Sequence, residues 1–211
     1  MFRNQYDSDV TVFSPQGRLH QVDYAVEAMR QGSATVAIQG KDHAVVVALM
    51  RAQNELSAFQ EKIFSVDEHL GLSMSGLLAD GRILAREVQR ECAAFRHEFG
   101  APISIQEVRS KLGQRLQKNT QYYGSRPFGV GLLLIGYDDL GPHVLKAEPS
   151  GMVTAEYAAA IGARSQSART YLEKHMDAWK DGDLDTIVKH ALLALKETLQ
   201  ADSNKLDQNV S

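Results

Sequence analysis

The spacing between the chain's runs of branched apolar residues constrains its fold more than any other feature. Segments 34–39, 44–50, 62–66 and 70–75 are rich in Val, Ile and Leu, and Gly40-Lys41-Asp42 and Asp67-Glu68-His69 separate the members of two pairs. Gaps that short close antiparallel hairpins and leave no room for the crossover helix of a parallel pair. A second block repeats the plan with strands at 130–138, 143–147 and 153–157, the first two joined by Asp138-Asp139-Leu140-Gly141. Each block is followed by two stretches of helical periodicity. After the first, Leu77, Leu84, Val88, Cys92, Phe95 and Phe99 form one stripe that ends at Gly100-Ala101-Pro102. Ile105, Val108, Leu112 and Leu116 then form another, opened by a capping box at Ser104 and Glu107. After the second block, Ala168, Tyr171, Leu172, His175 and Trp179 predict one helix. Leu184, Ile187, Val188, Ala191, Leu192, Leu195 and Leu199 predict the next, and Asp181-Gly182-Asp183 divides the two.

A further helix precedes all of this. Leu19, Val22, Ala25, Val26 and Met29 keep helical spacing, which predicts a helix over 20–31 with Gly32 at its C-terminal cap. Sheets with one apolar face must bury it, and paired helices need a surface to lie on. The expected fold is therefore α+β, a four-layer αββα sandwich of two antiparallel sheets, with the extra helix at its N-terminus. The 211 residues suit one such domain. The tail after Gln200 is polar.

Composition excludes several functions. Twenty-six acids against 23 bases leave a net charge of −3, so neither nucleic acid nor an anionic membrane is an expected partner. The longest apolar stretches, 44–50 and 130–137, fall far short of the roughly 20 residues that span a bilayer. One cysteine allows no internal disulfide, and residues 1–7 lack the apolar core of a signal peptide, which points to a reducing, intracellular home.

The usual chemical motifs are missing. Histidines at 20, 43, 69, 97, 143, 175 and 190 show no ligand spacing, so no metal is expected. Cys92 lies on an apolar stripe and reads as an inert core thiol. Gly129-x-Gly131 opens a strand and lacks the third glycine of a dinucleotide loop, no P-loop occurs, and no cofactor is expected. Gly71-Leu72-Ser73-Met74-Ser75-Gly76 is not a nucleophile elbow. Arg164, Arg169 and Lys174 read as a solvated face.

One run stands apart: Tyr6-Asp7-Ser8-Asp9-Val10-Thr11-Val12-Phe13-Ser14-Pro15-Gln16-Gly17-Arg18-Leu19-His20-Gln21-Val22-Asp23-Tyr24-Ala25. It resembles the N-terminal signature of proteasome alpha subunits. The resemblance continues through Gly32-Ser33-Ala34-Thr35, Glu61-Lys62-Ile63, Ser75-Gly76-Leu77-Leu78-Ala79-Asp80, residues 123–131 and residues 161–173. It covers essentially the whole chain and implies the N-terminal nucleophile hydrolase fold, which is an αββα sandwich.

Active members of that superfamily use a threonine exposed as the new N-terminus, with its own amine as base. Here Ser33 and Thr35 follow some thirty residues, and Met50 occupies the place of the assisting acid, so no catalytic residue is expected. The resemblance implies a non-catalytic alpha-ring subunit of the 20S particle in the cytoplasm and nucleus, working in ubiquitin-dependent and independent degradation. Its implied partners are the other alpha subunits of a seven-membered ring, the beta subunits, and the C-terminal tails of regulatory particles. Residues 1–31 become a gate tail and ring-contact helix, and 32–211 the sandwich. Tyr6, Asp7, Pro15 and Tyr24 correspond to the cluster that holds the open gate, although Ser8 replaces the usual arginine. Lys62, Gly32, Gly76 and Leu77 correspond to the pocket that receives a tail carboxylate; from the residues alone, Lys62 reads equally as a solvated strand-end lysine. Alpha subunits continue into further strands and a helix, so the resemblance also implies that the last C-terminal strands are missing beyond Ser211. The rival reading is a free-standing hydrolase of the same fold with a mature N-terminus at Ser33 or Thr35. A small-molecule-binding module has only the lack of catalytic motifs in its favour.

Overall fold

The computed structural model describes residues 6–52, 54 and 56–199, so the expectations about the polar tail and residues 209–211 lie outside the described residues. The leading helix α1 is His20–Gln31. The first block gives β1 (Thr35–Gln39), β2 (Ala44–Ala48), β3 (Ile63–Asp67) and β4 (Leu70–Gly76), followed by α2 (Leu78–Phe99) and α3 (Ile105–Gln121). The second gives β5 (Val130–Asp138), β6 (Gly141–Ala147), β7 (Val153–Ala155) and β8 (Ala158–Ile161), followed by α4 (Ser165–Lys174), α5 (Met176–Trp179) and α6 (Leu184–Lys196).

All strand pairs are antiparallel, as the short gaps require. The blocks do not map onto sheets, however. One sheet has the order β2-β1-β8 and the other β3-β4-β5-β6-β7. The chain changes sheets within two residues: Glu156 donates its N–H to Val144 of β6, and the Tyr157 carbonyl accepts from Gln39 of β1. The fourth strand of the second block escaped the sequence reading. Ala158-Ala159-Ala160 lacks the branched side chains that mark strands. Those alanines do different work, since Ala37, Ala159, Ile161, Leu133 and Val144 form the core between the sheets, where small side chains let the sheets approach.

The outer layers are apolar on their inner faces. Leu84, Val88, Cys92, Val108, Leu112 and Leu116 of α2 and α3 cover the five-stranded sheet. Leu172, Trp179, Ile187, Ala191 and Leu195 cover the three-stranded one. Cys92 is buried, and burial raises its thiol to about 11, which makes it inert as expected. The Ser104 hydroxyl accepts from the Glu107 N–H and caps α3. One reading needs correction. The single helix expected around Ala168–Trp179 is broken at His175, whose φ of −115° and ψ of 18° separate α4 from α5. Gly32 caps α1 as expected, and with φ −65° and ψ 158° it does so in an extended conformation open to any residue. Its glycine character answers instead to crowding against Ser75 and Gly76.

Candidate functional site

The predicted pocket residues converge where α1 ends, β1 begins and β4 runs into α2. A Cβ on Gly32 would lie 2.1 Å from the Gly76 backbone N and 2.4 Å from Ser75 Oγ. Gly76 has φ +115°, and a side chain there would meet the Gly129 carbonyl at 2.3 Å. Leu77 donates its N–H to that same carbonyl at 2.9 Å and leaves its side chain 49% exposed. Gly162 completes the knot, since the next residue, Ala163, donates its N–H to the Gly32 carbonyl at 2.7 Å. Gly129, Gly162 and Ser75 were not singled out as site residues. The Ser75 hydroxyl shares its one proton between Met29 O and Ser33 O, at 3.2 and 3.0 Å, and pins α1 to the start of β1.

Lys62 sits beneath this junction, only 3% exposed. This corrects its reading as a solvated strand-end lysine. Its Nζ donates to the Ser33 carbonyl, to the Ala34 carbonyl at 3.4 Å and to Thr35 Oγ1 at 3.1 Å. Ser73 Oγ donates to the same threonine oxygen at 3.3 Å. Those acceptors match the three donors of an ammonium but carry no negative charge. No carboxylate lies within ion-pair distance of Nζ among the described residues. Burial, and to a lesser degree the Arg51 charge, pull the ammonium down from 10.5 to about 7.

A second buried charge stands close by. Asp80, in the first turn of α2, accepts from Arg126 Nη1 and Nη2 at 2.6 and 2.8 Å and from the Gly129 N–H at 3.0 Å. The bonds from Arg126 hold its carboxyl below the usual carboxylate range against the opposing effect of burial. The sequence carried a signal for this pair: Asp80, Leu84 and Val88 share one helical face, and a carboxylate on a buried stripe needs a partner.

Two of the residues predicted for the gate, Asp7 and Tyr24, are joined directly. Tyr24 Oη donates to Asp7 Oδ2 at 3.1 Å, and Gln21 Nε2 donates to the Asp7 carbonyl. Asp9 Oδ1 accepts from the Thr11 N–H at 2.8 Å, while Oδ2 accepts from Gly124 N at 3.4 Å, tying the segment to the loop that follows α3. Pro15 lies in a reverse turn closed by the Gly17 N–H on the Ser14 carbonyl at 2.8 Å. Tyr6 is half-buried and Ser8 exposed.

The site offers no hydrolytic chemistry. Thr35 is fully buried, so its hydroxyl, although 3.1 Å from Lys62 Nζ, braces two strands with no access for a substrate. Ser33 contributes its nitrogen to a peptide bond, and Met50 at the exit of β2 has no proton to give or take.

Comparison with known proteins agrees with this geometry. A family model described as proteasome subunit matches residues 29–210, and one for the N-terminal signature of A-type proteasome subunits matches residues 6–28. The chain is 55% identical to the alpha type-1 proteasome subunit of Caenorhabditis elegans over 211 residues, covering 100% of this chain and 81% of that one. It is 49% identical over 207 residues to the alpha type-1 subunit of Drosophila melanogaster, covering 98% and 74%. With the alpha type-6 proteasome subunit of Saccharomyces cerevisiae it shares 47% identity over 209 residues, covering 98% and 89%. With the alpha signature on the segment that leads into α1, and no catalytic constellation where β1 begins, the chain belongs to the proteasome subunit family as a non-catalytic alpha subunit of the 20S core.

Proposed function

We propose that this subunit takes its place in a seven-membered alpha ring stacked on beta subunits, in the cytoplasm and nucleus. Its N-terminal segment, residues 1–31, forms part of the entry gate and contacts a ring neighbour. The junction of Gly32, Gly76, Leu77 and Lys62 receives the C-terminal carboxylate of a regulatory particle's tail. One observation carries the reading: Lys62 is a buried cation without an anionic partner among the described residues, held beneath a glycine knot beside the half-exposed Leu77. A cation that has left water and met only neutral acceptors gains from an arriving carboxylate, and glycines let a backbone approach closely. Because all three ammonium protons are engaged, the tail acts through the unneutralised charge or by exchanging with one of the three carbonyl and hydroxyl acceptors.

The test uses the assembled ring and one tail peptide that carries a photo-crosslinker. Lys62→Ala is expected to lower occupancy of this pocket ten- to a hundredfold, the usual worth of a charge-assisted hydrogen bond. Lys62→Arg keeps the charge but is bulkier and is expected to restore part of the binding. Equal occupancy of the wild-type and alanine rings at low salt would remove Lys62 from the receptor.

A further inference from the structure

On the outer face of the other helical layer, Tyr171 organises two histidines from different elements. His175, at the break between α4 and α5, places Nδ1 2.8 Å from the Tyr171 carbonyl. A carbonyl only accepts, so Nδ1 carries the proton and Nε2 holds the lone pair. His190, on α6, places its Nδ1 3.0 Å from the Tyr171 hydroxyl, which can either donate to it or accept from it. The same tyrosine thus contacts both Nδ1 atoms, and when its hydroxyl accepts from His190 both Nε2 atoms are left as ligand positions. The His175 ring stacks on Tyr171 at 4.2 Å between centroids, and the two imidazoles lie 5.8 Å apart with planes at 37°.

We propose that His175 and His190 form a two-histidine site for a borderline divalent transition cation such as Zn²⁺ or Cu²⁺, bound through Nε2 of each ring. With metal–nitrogen bonds of about 2.0–2.1 Å, one cation shared by two imidazoles sets their centroids about 5 Å apart, which small side-chain rotations reach from the observed separation. Hydrogen bonds on the far nitrogens, one to a carbonyl and one to a hydroxyl, are the support that fixes ring orientation in metal sites. His175 is exposed, which gives the cation access from solvent. No group of three or more His, Cys, Asp and Glu converges among the described residues, so water completes the coordination shell. Fifteen residues and two helix boundaries separate the pair, which is why no ligand motif marks it in the sequence.

Calorimetric titration of the full chain with ZnCl₂, and separately with CuCl₂, in a buffer that does not chelate tests the site. One saturable site per chain is expected, tighter for Cu²⁺ as the Irving–Williams order requires. His175→Gln and His190→Gln should each weaken it at least tenfold, and Tyr171→Phe, which keeps the ring and removes the hydroxyl, about tenfold. Imidazole ¹⁵N spectra of the unaltered protein provide a readout that does not depend on variant folding: Zn²⁺ should shift Nε2 of His175 and His190 and no other histidine. Absence of saturable binding, binding unchanged by both histidine substitutions, or shifts confined to other histidines would overturn the site.

Discussion

Asp80 and Lys62 are two buried charges on either side of the same glycine knot, and they are treated in opposite ways. Asp80 is matched by a bidentate guanidinium and a backbone N–H, and its carboxyl is held below the usual range. Lys62 meets two carbonyls and a hydroxyl, and burial lowers it to about 7. A matched charge has no electrostatic reason to recruit a partner, whereas an unmatched one is destabilising until an anion arrives. The difference separates a structural ion pair, which fastens α2 to the start of β5, from the position proposed to receive a ligand.

The largest expected effect falls on the matched pair. Arg126 is exposed over 63% of its side chain, whereas the Asp80 side chain is 7% exposed. Arg126→Ala therefore strands a buried carboxylate and should cost about 3–5 kcal/mol of stability. Asp80→Asn lets the guanidinium return to water and should cost about 1–2 kcal/mol. Urea unfolding of both variants checks the order, and equal losses would mean that the pair is not divided into a buried and a solvated partner.

Lys62 should show itself through pH. Its folded value of about 7 lies below the ordinary 10.5. Between these values the unfolded chain binds more protons, so stability rises with pH across that window and is lowest below pH 7. Lys62→Met removes the titration. From pH 6 to pH 9 the wild type should gain about 2 kcal/mol relative to this variant, about 4–8 °C in melting midpoint. Parallel pH profiles would show that the three acceptors offset the cost of burying the ammonium.

Much of this was legible in the residues alone. Short gaps fixed antiparallel pairing, and apolar periods placed α1 and α2 to within a residue or two and the starts of α3 and α6. What escaped had little local signature. β8 is mostly alanine, so its strand character comes from pairing with β1 and not from propensity. The break at His175 lies within a continuous apolar period. The glycine at position 32 suited a helix cap by position, yet its physical role depends on Gly76, forty-four residues away in the chain. At the site, residue type placed a cation at 62, but only packing reveals that it is buried and unneutralised. Among the residues proposed for the gate, the structure joins Asp7 to Tyr24.

The contrast between the two charges rests on one claim, that Lys62 is held ready for a carboxylate. The most direct measurement compares one tail peptide with a free C-terminus and the same peptide amidated, each titrated onto wild-type and Lys62→Ala rings at pH 6.5, where most of the lysine is charged. Amidation should weaken binding to the wild-type ring ten- to a hundredfold and leave binding to the alanine ring unchanged. An equal loss on both rings would place the carboxylate elsewhere and leave Lys62 as a brace between β1 and β3.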